Sequence, residues 1–246
     1  MILLGVAVEI VQYFIGRDGE AGDVLMDAAG AGFVLCLLAF LRRPAGGVGQ
    51  FPGRRSLLVV GMLVSVTIVV APLAECALAY QRRAAIFPEI VRFDRPIDRY
   101  FMLDGGIETR VERLPEAWRS ATEAPVLRVQ LARAETPGLR VYEPKPDWRG
   151  YSVLRIGLVN PGDTALHLVV RVHDAQHDQQ HEDRFNRAFT LQGRSRRVLE
   201  IPLADIESAP RDRRLELSQV AAIGIFEGSR PAPVGAVFYL TRIWLD

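Results

Sequence analysis

Lysine is almost missing from this chain: of its 30 Lys and Arg residues only Lys145 is a lysine. Codon usage alone can produce that preference, so no function follows from it. Cysteine is as scarce. Cys36 and Cys76 both fall in apolar segments and no cysteine follows them, which excludes a disulfide framework in the second part of the chain. Thiols in apolar surroundings are inert, so these two read as small packing residues and not as a redox pair. An excess of charge is missing too. Beyond Tyr80, 25 Lys and Arg stand against 23 Asp and Glu, a balance of +2 that is too even for a nucleic-acid surface. Signatures of common enzymes are absent: there is no G-x-S-x-G, no P-loop and no G-x-G-x-x-G.

Acids and arginines are rare in the first eighty positions, which hold eleven of them, and residues 57–74 hold no ionisable side chain over eighteen positions. At about 1.5 Å per residue, a helix over residues 56–80 crosses a hydrocarbon core of about 30 Å. Two shorter apolar segments precede it. Residues 1–16 have no basic n-region, are interrupted by Glu9 and lead to no small-x-small cleavage site, so they do not read as a signal peptide. Their helix would be only about 24 Å long, and upstream helices are expected to be missing from this chain. A polar, glycine-rich turn over residues 16–23 joins this segment to a second helix, residues 24–41, with Asp23 placed to cap it. The linker over residues 42–55 carries four Arg and no acid, which assigns it to the cytoplasm. The predicted organisation is a helical pair over residues 1–41, a cytoplasmic linker over 42–55, a third transmembrane helix over 56–80, and an exported domain over 84–246.

On the first helix Glu9 and Gln12 share a face with Gly5 and Gly16, and on the second Asp23 and Asp27 share one with Gly30. Folding the two together brings Glu9, Gln12, Arg17, Asp23 and Asp27 toward the outer membrane face. Ionisable groups at such depth are costly unless paired or wetted. They mark either a pocket or a polar helix-packing cluster without a ligand. The segment Glu9-x-x-Gln12, Arg17, Asp23-x-x-x-Asp27-Ala-Ala-Gly30 resembles the signature of VanZ-like membrane proteins. Asp27 stands where that family commonly has Asn. The resemblance covers about residues 1–40 and implies an envelope role, in resistance to wall-targeting antibiotics or in handling a lipid-linked molecule.

After residue 84 the pattern changes to short alternating runs broken by Pro and Gly. Leu127, Val129 and Leu131 alternate with polar residues, as do Leu154, Ile156 and Leu158, and further strands are expected over residues 166–172, 198–203, 222–226 and 236–245. The fold class expected is therefore three transmembrane α-helices followed by an all-β sandwich. The runs around Trp148 to Ile156, Asn160-Pro161, Asp183 to Asn186, Ile201 to Ile206 and Phe238 to Ile243 resemble a galactose-binding-like jelly roll, the fold of many carbohydrate-binding modules. That likeness implies Trp148, Tyr151, Arg171, Asp174, Arg184 and Asn186 as ligand-binding residues. Each also has a structural reading: Trp148 and Tyr151 as core or edge aromatics, Arg184 as an ion-pair clamp with Asp183 or Asp174.

His173, His177 and His181 recur every four residues and would line one face of a helix able to bind zinc. The segment follows a strand and is highly polar, which favours a solvated loop. His181-Glu182 lacks the second His of H-E-x-x-H. A structural calcium on carboxylates such as Asp94 and Asp246 is the one cofactor the jelly-roll likeness implies. Together these features describe a protein of the bacterial inner membrane with an exported domain that binds an envelope saccharide or lipid-linked glycan without catalysis. The competing readings are a membrane-anchored enzyme acting on such a glycan and a module that binds another protein.

Overall fold

The computed structural model describes residues 21–42, 53–120, 124–132, 137–233 and 235–246. The chain divides into two compact units, Met1–Ala77 and Leu78–Asp246. In the first, helix α1 (Ala21–Leu41) is followed by helix α2 (Arg54–Ile86), whose last turns belong to the second unit. Both are long and apolar enough to cross a membrane, and only 6% of each apolar window is buried by protein. The helix expected over residues 1–16 lies outside the described residues, so two candidate spans stand where three were expected. Small residues let the two helices approach: a β-carbon on Gly61 would fall 2.9 Å from Cys36 Sγ, and one on Gly32 would fall 3.4 Å from Ser65 Oγ. Cys36 and Cys76 are free, as packing residues would be.

Helix α2 runs 33 residues and continues six residues past Tyr80. Nothing in Gln81–Ile86 breaks a helix, and the stop comes where Phe87 precedes Pro88, since the residue before a proline is driven out of the helical region. Pro72, inside the helix, removes the amide that would bond to the Ile68 carbonyl. Thr67 Oγ1 donates to the Leu63 carbonyl at 2.9 Å one turn before it.

The second unit is a sandwich of two antiparallel sheets. Its strands are β1 (Glu89–Val91), β2 (Met102–Gly105), β3 (Ile107–Glu112), β4 (Val126–Leu131), β5 (Gly138–Tyr142), β6 (Val153–Asn160), β7 (Leu166–Asp174), β8 (Phe185–Leu191), β9 (Ser195–Pro202), β10 (Val220–Glu227) and β11 (Val237–Leu245), with one short helix α3 (Leu203–Glu207). One sheet runs β3-β4-β11-β6-β9, with β1 also paired to β11, and the other runs β2-β5-β10-β7-β8. Strand β7 shows the logic most plainly. Leu166, Leu168, Val170, Val172 and Asp174 are buried, and the residues between them are not, which is the period-two pattern of a strand with one face in the core. Its inward residues join Leu127, Val129, Leu154, Ile156, Leu158, Phe238, Leu240 and Ile243 in one apolar cluster. Each such side chain stabilises the fold by about 1.5–3 kcal/mol. The turn after β6 is set by Asn160. Its buried Nδ2 donates to the Thr164 and Leu191 carbonyls at 2.9 and 3.2 Å, while its Oδ1 accepts from the Gly162 amide at 3.0 Å.

Candidate functional site

The five-stranded sheet turns one face to the core and leaves the other open, and strand register decides which side chains share the open face. Strand β10 pairs with β5 and β7 so that Gly224 lies opposite both Arg140 and Arg171. Arg140 in turn faces Leu103 on β2, and Arg171 faces Asn186 on β8. The result is one row across all five strands: Leu103, Arg140, Gly224, Arg171, Asn186. A second row sets Tyr142, Ala222 and His173 side by side, and a third sets Gly138, Phe226 and Val169.

Glycine at positions 138 and 224 is required by the ring of Phe226. A β-carbon on Gly224 would fall 2.2 Å from Phe226 Cε2, and one on Gly138 would fall 2.3 Å from its Cδ1. The ring therefore lies flat on bare backbone. Two guanidiniums cover it, with the carbon of Arg171 4.4 Å and that of Arg140 5.3 Å from its centroid, inside the range of cation–π attraction. Arg171 is further held by Asn186, whose Oδ1 accepts from its Nε at 3.3 Å, and Asn186 Nδ2 donates to the His181 carbonyl at 3.2 Å.

Arg140, Tyr142, Arg171, His173, Ala222, Gly224 and Phe226 line a hollow of about 220 Å³ together with Gln179, His177 and Arg184 from the loop after β7. Gln179 sits there with φ of +72°, a left-handed backbone that a non-glycine residue rarely holds. No carboxylate lines the hollow. Three guanidiniums thus stand together with no carboxylate beside them in the lining, and the pKa values of Arg171 and Arg184 respond. Burial, then the charges of Arg184 and Arg140, push Arg171 down to about 10. Burial and Arg140 also lower Arg184, against a smaller opposing pull from Glu182. Burial, with His177 and Arg184, lowers His173 despite its contact with the Asp174 carbonyl.

Of the six residues implied as ligand-binding, Arg171, Arg184 and Asn186 come together on this face. The other three do not. Trp148 is fully buried in the core, its Nε1 donating to the Lys145 carbonyl at 2.9 Å, so it has no face to offer a sugar. Tyr151 packs edge-on against Phe87 with centroids 5.4 Å apart, away from the hollow. Asp174 has a side chain 0% exposed and every acceptor in use. Arg213 donates Nη1 to its Oδ2 at 2.6 Å and Nη2 to its Oδ1 at 2.8 Å, and the Glu216 amide adds 2.7 Å to Oδ2. The same guanidinium binds Asp183. The clamp expected of Arg184 is therefore made by Arg213, 39 residues beyond Asp174 in sequence.

The three histidines do not form a helical zinc face. His173 is the penultimate residue of β7, His177 lies in the loop after it and His181 opens a single 3-10 turn. His177, Asp178 and Asp183 do bring donor atoms within 4.8 Å of one another. Asp183, however, already accepts from Arg213 and from the Asp178 amide. That donor set does not fit a metal ion. Asp94 and Asp246, named for calcium, face Arg92 at 2.6 Å and Arg155 at 3.0 Å respectively. In the first unit Asp27 is exposed, while Glu9, Gln12 and Arg17 lie outside the described residues, as does the side chain of Asp23.

Sequence reading missed Arg140, Tyr142, Gly224 and Phe226. A signal for the first two exists: in Gly138-Leu-Arg-Val-Tyr142, polar residues occupy every second position of a short apolar run. None marks Phe226, because a buried phenylalanine on the outer face reads like any core residue.

No family model matches the chain, and no curated protein does. The VanZ-like likeness of residues 1–40 accordingly rests on its motif alone. Among solved structures, the chain is similar to a family 11 carbohydrate-binding module from Clostridium thermocellum in complex with a β-1,3-1,4-mixed-linked tetrasaccharide. The identity is 14% and the TM-score 0.43, over 58% of this chain and 86% of that one. A carbohydrate-binding module specific for non-crystalline cellulose gives 10% identity and a TM-score of 0.45, over 65% and 93%. An agarase gives 10% and 0.46, over 64% of this chain and 26% of that one.

Proposed function

We propose that the unit Leu78–Asp246 is a non-enzymatic domain that binds an envelope saccharide, free or lipid-linked, on the open face of its five-stranded sheet. In this reading α1 and α2 hold it at the bacterial inner membrane with the domain exported. The observation that carries it is the cross-strand row built on Gly224, where two glycines and a phenylalanine hold planar polar side chains on an open face. Guanidinium, imidazole and carboxamide groups supply directed donors and acceptors for sugar hydroxyls. The ring of Tyr142, 37% exposed at the rim of the hollow, offers a face for the C–H side of a pyranose. Cleavage of a glycosidic bond needs two carboxyl groups across the cleft, and the hollow has none. That favours binding over the enzyme alternative at this site. Tethering to the membrane would raise the local concentration of the domain near lipid-linked or wall glycan. A VanZ-like role for the helical part, with its link to antibiotic resistance, belongs to the same proposal and rests on the motif between Glu9 and Gly30.

The test is a glycan array probed with the full chain in lipid nanodiscs. Binding that is lost with Arg171→Gln and kept with the exposed Arg230→Gln supports the proposal. A blank array, or binding indifferent to Arg171, removes it.

A further inference from the structure

Resting on the saccharide reading, we infer that the ligand is acidic: a saccharide carrying an oxyanion, held by Arg140, Arg171 and Arg184, and donating a hydroxyl to His177. Two independent features lead there. The first is uncompensated charge. Many arginines of this domain have a carboxylate partner, as Arg82 has in Asp98, Arg99 in Asp104, Arg155 in Glu200 and Arg213 in Asp174. The three in the hollow have none among the described residues. Arg184 keeps its Nε buried without a hydrogen-bond partner. Concentrating like charge costs stability, and a bound oxyanion would offset it. Guanidiniums fix such a group by parallel pairs of N–H donors, which an ammonium cannot do.

The second feature is His177, whose side chain is only 3% exposed. Its Nδ1 lies 3.0 Å from the Asp183 backbone carbonyl. A carbonyl can only accept, so Nδ1 carries the proton, and in the neutral ring Nε2 is left as an acceptor. That Nε2 is buried and has no hydrogen-bond partner in the hollow it lines. In that neutral form it requires a donor. Inorganic phosphate as a dianion, or a bare carboxylate, brings acceptors only. A neutral sugar brings hydroxyl donors and nothing for three cations. An acidic saccharide brings both.

The charged groups around the imidazoles fit this assignment. His173 and Arg184 face His177 from the hollow, and Asp183 approaches only its Nδ1 side, with Oδ2 at 3.3 Å. Glu182 acts on Arg184 from outside the lining.

Calorimetry on the full chain in nanodiscs tests the inference with four probes: a uronic-acid oligosaccharide, the same oligosaccharide reduced to its neutral form, inorganic phosphate, and vesicles of anionic phospholipid. The acidic oligosaccharide should bind at least about tenfold more tightly than its neutral counterpart, the effect of one charge-assisted hydrogen-bond pair. Arg171→Gln and Arg140→Gln should each erase that difference, whereas Arg230→Gln, which removes an equal charge from an exposed loop, should not. Arg140 is exposed, so its variant keeps the test valid should Arg171→Gln unfold the domain. Equal binding of acidic and neutral forms overturns the inference and leaves the saccharide reading standing. Phosphate or vesicles binding as tightly as the acidic oligosaccharide overturns both, as does the absence of binding by all four.

Discussion

Replacing Arg213 with methionine should destabilise the second unit more than any other single surface-reachable change. The guanidinium spans two carboxylates, one of them fully buried at the end of β7. Removing it leaves Asp174 with backbone amides alone, those of Glu216 and Gln176, and leaves Asp183 about 85% shielded with a like charge for a neighbour. Breaking a buried pair from one side costs about 3–5 kcal/mol, because the abandoned charge keeps its desolvation penalty. Against a domain stability of about 5–15 kcal/mol, that is a large share, and at about 2–4 °C per kcal/mol it lowers Tm by about 6–20 °C. Fully buried Trp148 reports the transition through its fluorescence. The pH dependence has a definite sign. For Asp174 burial pushes upward, but the Arg213 and Glu216 bonds outweigh it, and Asp183 is held far below the carboxylate range chiefly by its Arg213 bond. Folded values below the unfolded value mean that the clamp's contribution is complete above about pH 5. It declines as pH falls below about 3.9 and vanishes once the folded carboxylates titrate. The Met variant should lose that acid-side slope along with the stability. Converting both partners together, Asp174→Leu with Arg213→Met, should recover part of the loss. A single variant within about 1 kcal/mol of the parent, with an unchanged acid limb, would falsify the account of Arg213 as a clamp.

Other expectations are more quickly stated. Trp148→Ala should cost about 3–5 kcal/mol by urea titration while the folded fraction keeps its ligand affinity; a stable variant that cannot bind would return Trp148 to the site. Gly224→Ala places a methyl where the Phe226 ring lies, so it should cost about 1–3 kcal/mol and weaken ligand binding as the ring displaces Arg140 and Arg171. An unchanged variant on both counts would show that the ring is not seated by that glycine. For topology, a reporter fused at Asp246 should be active only if it works outside the cytoplasm, because the four arginines between Arg42 and Arg55 favour the inner side. Cytoplasmic activity reverses the arrangement and with it the envelope ligand.

What the sequence discloses depends on whether a property is local. The apolar span from Leu57 to Ala74 and the alternation along β4, β6 and β7 are carried by residues close together in the chain, and two-sheet architecture follows from them. The helix end at Ile86 needed only Pro88. The open face of the five-stranded sheet is different in kind. Arg140, Gly224, Arg171 and Asn186 come from four strands, and nothing short of strand order places them in one row. Arg171, Arg184 and Asn186 are implied by the jelly-roll likeness, and they do share this face. Trp148, implied by the same likeness, lies in the core instead: an aromatic beside an Arg-Gly turn looks exposed until the partner for its Nε1, the Lys145 carbonyl, is seen three residues back. The histidine segment shows the limit most clearly. A four-residue repeat suggests a helix, but β7 must run to Asp174 for Arg213 to reach it. That long-range ion pair holds the segment as strand and turn, and it leaves His177 facing the three arginines with one nitrogen unsatisfied.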